Sequence, residues 1–181
     1  MKFGITFCLL TLSTLFLFGC NEPVSKPEVS HPDWPTVNLG GWTMQVPDNC
    51  SSTFEQDGEN ASGELYSARY NLKIEFSSWL ETGADYNDCD EHDLAIKSTS
   101  CKESCEEFYG EKGDYEIWLQ YVNNYTAVFT KPAEDAVGEV SVHFSDCHRS
   151  LMVSVDCKTK EQQQLMLEMF ETIDWSEDGL R

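Results

Sequence analysis

The sequence predicts an α+β domain: an antiparallel β-sheet of about six to seven strands, with a C-terminal helix and one or two short helices packed on it. Three observations carry this reading. Trp42, Met44 and Val46 alternate with Thr43 and Gln45, the period of a half-buried strand. Two β-rich runs flank Asn123-Asn124, a pair that tolerates the positive φ of a type I′ hairpin turn. Met166, Met169, Phe170 and Ile173 recur at the spacing of one helix face. No internal repeat is present, and strands follow one another in antiparallel succession with helices interposed.

Taken in order, the first strand ends at Pro47-Asp48-Asn49, a turn-forming run. Residues 64–70 and 72–80 read as two strands around Asn71, with Leu72, Ile74 and Phe76 on one face. From Asp85 to Glu107 the β signal disappears, and Leu94, Ile96, Cys101, Cys105 and Phe108 fit one or two short helices. Residues 115–122 and 125–130 form the hairpin around the asparagine pair. A second hairpin places Val140, Val142 and Phe144 on one arm and Leu151, Val153 and Val155 on the other. His143 alternates with its apolar neighbours and is expected to face outward. The final helix spans residues 161–172, with Thr159 as its candidate N-cap.

The chain opens with Lys2 and then an apolar stretch from Phe3 to Phe18, too short and too abruptly ended for a spanning helix. It closes on Leu17-Phe18-Gly19-Cys20, which resembles the lipobox of bacterial lipoproteins. That resemblance implies a signal peptide at 1–19, cleavage before Cys20 and diacylglycerol on the Cys20 sulfur. It also implies a lipid anchor in the membrane of the cell envelope, facing the periplasm. Asn21, where Asp would resemble an inner-membrane retention signal, leans towards the outer membrane. Residues 20–39 read as a tether, because 21–37 carry four prolines and little apolar pattern. Trp34 is the tether residue suited to dock on the domain. A single disulfide-stabilised domain is expected at 40–181.

With 12 basic and 32 acidic residues, the formal net charge is −20. Such a charge repels nucleic acid and anionic head groups. It favours a basic protein, a cationic peptide or divalent cations, with simple solubility as the alternative. Between Glu81 and Glu116 there are twelve acidic residues and three basic ones, so a negative face is expected there. Its candidate partner-binding residues are Glu103, Glu106, Glu107 and Tyr109, with Tyr86 and Tyr115 as further aromatic anchors. Phe108 is assigned to the core instead.

Eight cysteines are present. Setting aside Cys8 in the signal and Cys20 leaves Cys50, Cys89, Cys101, Cys105, Cys147 and Cys157, an even set that reads as three disulfides in an exported domain. Their connectivity is open. A Cys101–Cys105 bridge within one helical turn and a Cys147–Cys157 bridge across a hairpin are disfavoured.

The chemistry-bearing motifs are absent. The acidic loop Asp85–Asp93 is oxygen-rich, yet an EF-hand register puts Asp90 and Ile96 where Gly and Glu are required. Cys147-His148 lacks zinc-site spacing, and no G-x-S-x-G elbow occurs. No cofactor and no catalytic residue is expected.

Two short pieces resemble a family. GWTMQVPDNC is similar to the opening strand and turn of PsbP-like and DcrB-like domains, and LMLEMFETIDW to their last helix and short extended end. The resemblance implies a twisted antiparallel sheet sandwiched by helices, a fold used as an exported adaptor or accessory module. The expected function is therefore a non-enzymatic protein-binding module, its sharpest form an immunity protein against a secreted envelope toxin. The alternatives are a structural or accessory envelope lipoprotein, or a calcium- or ligand-binding lipoprotein centred on Asp85–Asp93.

Overall fold

The computed structural model describes residues 31–48, 50–80, 91–110, 113–134, 136–146 and 148–176, with the side chains of 91–97 left aside. Cys20, Cys89, Cys147, the signal segment and Asp85–Asp90 lie outside the described residues.

The expected α+β class holds. Among the described residues, ten strands, β1 Thr36–Asn38, β2 Trp42–Gln45, β3 Ser51–Asp57, β4 Asn60–Ser67, β5 Leu72–Leu80, β6 Tyr115–Val122, β7 Tyr125–Pro132, β8 Glu139–Ser145, β9 Arg149–Asp156 and β10 Asp174–Trp175, accompany helices α1 Glu91–Gly110 and α2 Lys160–Phe170. Seven strands form one sheet in the order β3-β4-β5-β9-β8-β7-β6, and three form another in the order β1-β2-β10. Every pairing is antiparallel. The chain runs β3 to β5, leaves the sheet centre through α1, re-enters at the far edge as β6, and meanders back until β9 pairs with β5. That crossover lays α1 over β6, β7 and β8, while α2 packs on β8 and β2.

Local chemistry explains the turns. Asn123 and Asn124 adopt φ of 43° and 72°, the two positive values a type I′ turn requires. Gly40, at φ 76°, links β1 to β2 where a Cβ would fall 2.4 Å from both Ala61 Cβ and Ser78 Oγ. Thr159 caps α2 in a reciprocal capping box with Gln162, satisfying donors that the first helical turn leaves open.

The core lies between the seven-stranded sheet on one side and α2 with the three-stranded sheet on the other. Val142, Phe144, Leu151 and Val153 meet Met166, Met169, Phe170 and Ile173 there, all buried. Trp42 sits at its centre, with ring centroids 5.1 Å from Tyr125 and 5.4 Å from both Phe144 and Trp175. Burying apolar side chains of this size stabilises by about 1.5–3 kcal/mol each.

Three expectations are corrected. The segment expected to form one or two short helices is a single 20-residue helix. Its sheet-facing positions, Ser98, Cys101, Cys105 and Tyr109, keep helical spacing with small or polar residues, so hydrophobic periodicity understates it. A strand at 51–57 was not expected, because it is exposed along its whole length and held by β4 alone. Finally, the tether expected at 20–39 is folded onto the domain from residue 31. β1 pairs with β2, Val46 N–H donates to the Pro35 carbonyl at 2.9 Å, and Trp34 stacks on His31 and packs against the core.

Candidate functional site

Alternation along β8 and β9 decides what lies under α1. Val140, Val142 and Phe144 point into the core, so Ser141, His143 and Ser145 point the other way, joined by Ser150 and Met152 from β9. His143 does face away from the main core, as expected, but α1 covers that face rather than solvent.

Helix α1 brings two cysteines to this stripe. Cys101 and Cys105 are four residues apart and therefore share one helix face. Cys101 Sγ lies 2.9 Å from His143 Nδ1. The donor atoms of Cys101, Cys105 and His143 all fall within 4.8 Å of one another, and all three residues are half-buried. On its far side, His143 Nε2 is 2.9 Å from Ser150 Oγ. The ring is thus held at both nitrogens, and Trp79 packs edge-on against it at 6.1 Å. The three residues line a cleft of about 590 Å³ together with Ser104, Phe108 and Met152.

The two thiols differ sharply in acidity. The hydrogen bond from Cys101, reinforced by His143 and opposed by burial, holds Cys105 down at about 5. Cys101 moves the other way, because it donates to Cys105 and is itself desolvated. The pair is a thiol–thiolate couple beside an imidazole, a set of soft donors suited to metal ligation or nucleophilic chemistry.

The other described cysteines are inert by comparison. Burial and the neighbouring Asp48 carboxylate push Cys50 up to about 11, and burial pushes Cys157 up to about 12. Cys50, Cys101, Cys105 and Cys157 are all outside any disulfide. The expected disulfide framework is therefore not drawn among the described residues. Cys89 and Cys147 lie outside them, as do most of the Asp85–Asp93 loop and the Cys20 anchor.

Deeper under α1, Tyr109 is 1% exposed, and its hydroxyl donates to Glu139 Oε1 at 3.0 Å and meets Ser141 Oγ at 2.9 Å. This overturns Tyr109 as a partner-contact residue. It follows Cys105 by four positions and so faces the sheet with it. Phe108, one step round the helix, is 53% exposed instead of buried, and packs edge-to-face on Tyr109 at 5.0 Å. Glu103, Glu106 and Glu107 are exposed on the same helix, with Lys102 paired to Glu106.

Sequence reasoning missed His143, Ser150 and Met152 as site residues. The Cys-x-x-x-Cys spacing was visible, but nothing local links a helix at 91–110 to a strand at 139–145.

No protein-family model and no curated protein matches this chain. Among solved structures it is similar to a crystal structure from Bacteroides thetaiotaomicron VPI-5482, at 11% identity and a TM-score of 0.40. That match covers 77% of this chain and 46% of the other, so the chain spans less than half the length of the protein it matches.

Proposed function

We propose that this chain is a lipid-anchored, non-enzymatic module of the bacterial envelope that binds a basic protein through α1, most sharply as an immunity protein against a secreted toxin. The observation that supports it is the outer surface of α1. Glu103, Glu106 and Glu107 are exposed beside Phe108, on a chain of net charge −20. Carboxylates of one sign steer a basic partner into encounter, and an exposed aromatic ring beside them supplies contact area once it arrives. The Cys20 lipid would hold this surface at the membrane.

The test is binding to the product of the adjoining reading frame, measured at increasing salt with the wild-type chain and with Glu103→Lys, Glu106→Lys and Glu107→Lys combined. The reading expects association that slows with salt and is lost on charge reversal. Affinity that is indifferent to both overturns it. Mass spectrometry of the N-terminal peptide checks the anchor: a diacylated Cys20 freed from Gly19 is expected, and an unmodified Cys20 still joined to Gly19 removes it.

A further inference from the structure

We propose that Cys101, Cys105 and His143 form a binding site for one soft metal ion, Cu(I), with the thioether of Met152 as an additional donor. This goes beyond partner binding and does not depend on it.

The geometry carries the assignment. Three donor atoms from two separate elements already lie within 4.8 Å of one another, close enough for one ion to reach all three. Imidazole ligands of metal sites characteristically have their second nitrogen held by an outer hydrogen-bonding partner. Here Ser150 Oγ occupies that place at 2.9 Å from His143 Nε2 and leaves Nδ1 turned towards the thiols. Met152 is directly opposite His143 in the β8–β9 register, and residues paired across two strands project to the same face. It lines the same cleft as the two cysteines.

The donor types choose the metal. Two thiolates and a neighbouring thioether are soft ligands and an imidazole joins them, and among the described residues no carboxylate belongs to the cluster. Calcium and magnesium require shells of oxygen. A structural zinc site calls for four nitrogen, thiolate or carboxylate ligands, and a thioether adds little to it. Soft thiolate and thioether donors select Cu(I), zinc or iron–sulfur centres, and of these Cu(I) is the one for which the Met152 thioether counts as a ligand. Binding forms two Cu–S bonds to the thiolates, one to the Met152 thioether and one Cu–N bond, and the protons still on the thiols pass to water. Copper keeps its oxidation state, so no oxidant or reductant is consumed.

The ion would also tie α1 to β8, fixing the helix that carries Glu103, Glu106 and Glu107. A ligand that binds only the folded state raises the melting temperature, which gives a readout separate from affinity.

The experiment uses the full chain, reduced and kept under anaerobic conditions, titrated with Cu(I) against a chromophoric Cu(I) chelator. One tight equivalent with an ultraviolet thiolate-to-copper band and a raised melting temperature is expected. That equivalent should persist in the Cys89→Ser/Cys147→Ser variant. It should weaken in Cys101→Ser or Cys105→Ser by more than the roughly 100-fold that outer partners reach, and by about 10-fold in Ser150→Ala. Met152→Leu keeps the volume and should weaken Cu(I) without altering the copper-free melting temperature.

Three results overturn the proposal. One is the absence of a tight equivalent, and another is its survival in the Cys101→Ser/Cys105→Ser variant. The third is a Cys101–Cys105 disulfide in protein isolated from the envelope without reductant.

Discussion

Phe54 and Phe76 lie on strands that are not neighbours, yet their rings stack with centroids 6.1 Å apart because Gly63 stands between them. Phe54 on β3 pairs with Gly63 on β4, which pairs in turn with Phe76 on β5. A Cβ at residue 63 would come within 2.1 Å of the Thr53 carbonyl oxygen and 2.8 Å of the Phe76 ring. Phe76 is almost fully buried and has nowhere to go. Gly63→Ala should therefore destabilise the protein by about 1–3 kcal/mol, the range for overpacking. Phe54→Ala, which loses only a half-exposed stacking partner, should cost about 1 kcal/mol. Urea denaturation ranks the two, and a Gly63→Ala midpoint equal to wild type contradicts the reading.

Gly63 also shows where the sequence is legible and where it is not. The β6–β7 hairpin can be read from Asn123-Asn124, and α2 from Met166, Met169, Phe170 and Ile173, because each signal is complete within a dozen residues. β3 has one large apolar residue, Phe54, in a strand otherwise built of Ser, Thr, Glu, Gln and Asp. What holds it is the edge of β4, a partner that local pattern does not announce. β1 is three residues inside a proline-rich run and exists because β2 offers it an edge. The candidate site divides the same way. The spacing of Cys101 and Cys105 is local, whereas the arrival of His143 depends on the crossover that carries α1 from β5 to the far edge of the sheet.

Tyr109 makes the α1–sheet contact sensitive to alkali. Burial, with the Glu139 carboxylate adding to it, pushes its phenol from 10.0 up to about 12. Between these values the native state keeps a proton that the unfolded chain has released, so stability falls as pH rises through that window. The slope from this one group is about 1.4 kcal/mol per pH unit. At neutral pH, Tyr109→Phe should cost about 1–2 kcal/mol through the hydrogen bonds it removes from Glu139 and Ser141. Above pH 10 the gap between wild type and variant should narrow, because the variant has no phenol there to ionise. A gap that stays constant in denaturation curves from pH 9 to 12 rules this out.

Gln162 does more for α2 than its surface position suggests. Its side-chain oxygen accepts from the backbone N–H of Thr159 at 3.2 Å and of Lys158 at 2.6 Å, while Nε2 donates to the Tyr70 carbonyl at 2.8 Å. Thr159 Oγ1 answers with one bond, accepted from Gln162 N–H at 3.2 Å. Thr159→Ala should then cost about 1 kcal/mol, as caps do. Gln162→Ala should cost at least as much, since it opens the capping box and also frees the turn before β5. Thermal melts of both variants decide the order, and a smaller loss for Gln162→Ala shows that the Tyr70 bond adds nothing.

Asp146 and Arg149 set the register on which the Cys101–Cys105–His143 cluster depends. Asp146 is 8% exposed; its Oδ1 accepts from the backbone N–H groups of His148 and Arg149, and its Oδ2 from Arg149 Nε at 2.6 Å. The guanidinium then lies 4.7 Å from the Trp175 ring and 5.5 Å from that of Tyr125. This closes the β8–β9 turn and holds β10 beside it. Asp146→Ala removes the acceptor for two backbone donors and strands a half-buried cation, at a cost of about 3 kcal/mol. Arg149→Lys keeps the charge but not the planar stack, and should cost about 1 kcal/mol. Because His143 meets Ser150 and Met152 only when this turn is in register, Asp146→Ala should also weaken Cu(I) retention, whereas Arg149→Lys should leave it near wild type. Denaturation curves and the chelator competition, run on the same two variants, separate a register effect from a simple loss of stability: equal copper affinity in a destabilised Asp146→Ala protein would show that the turn does not position the site.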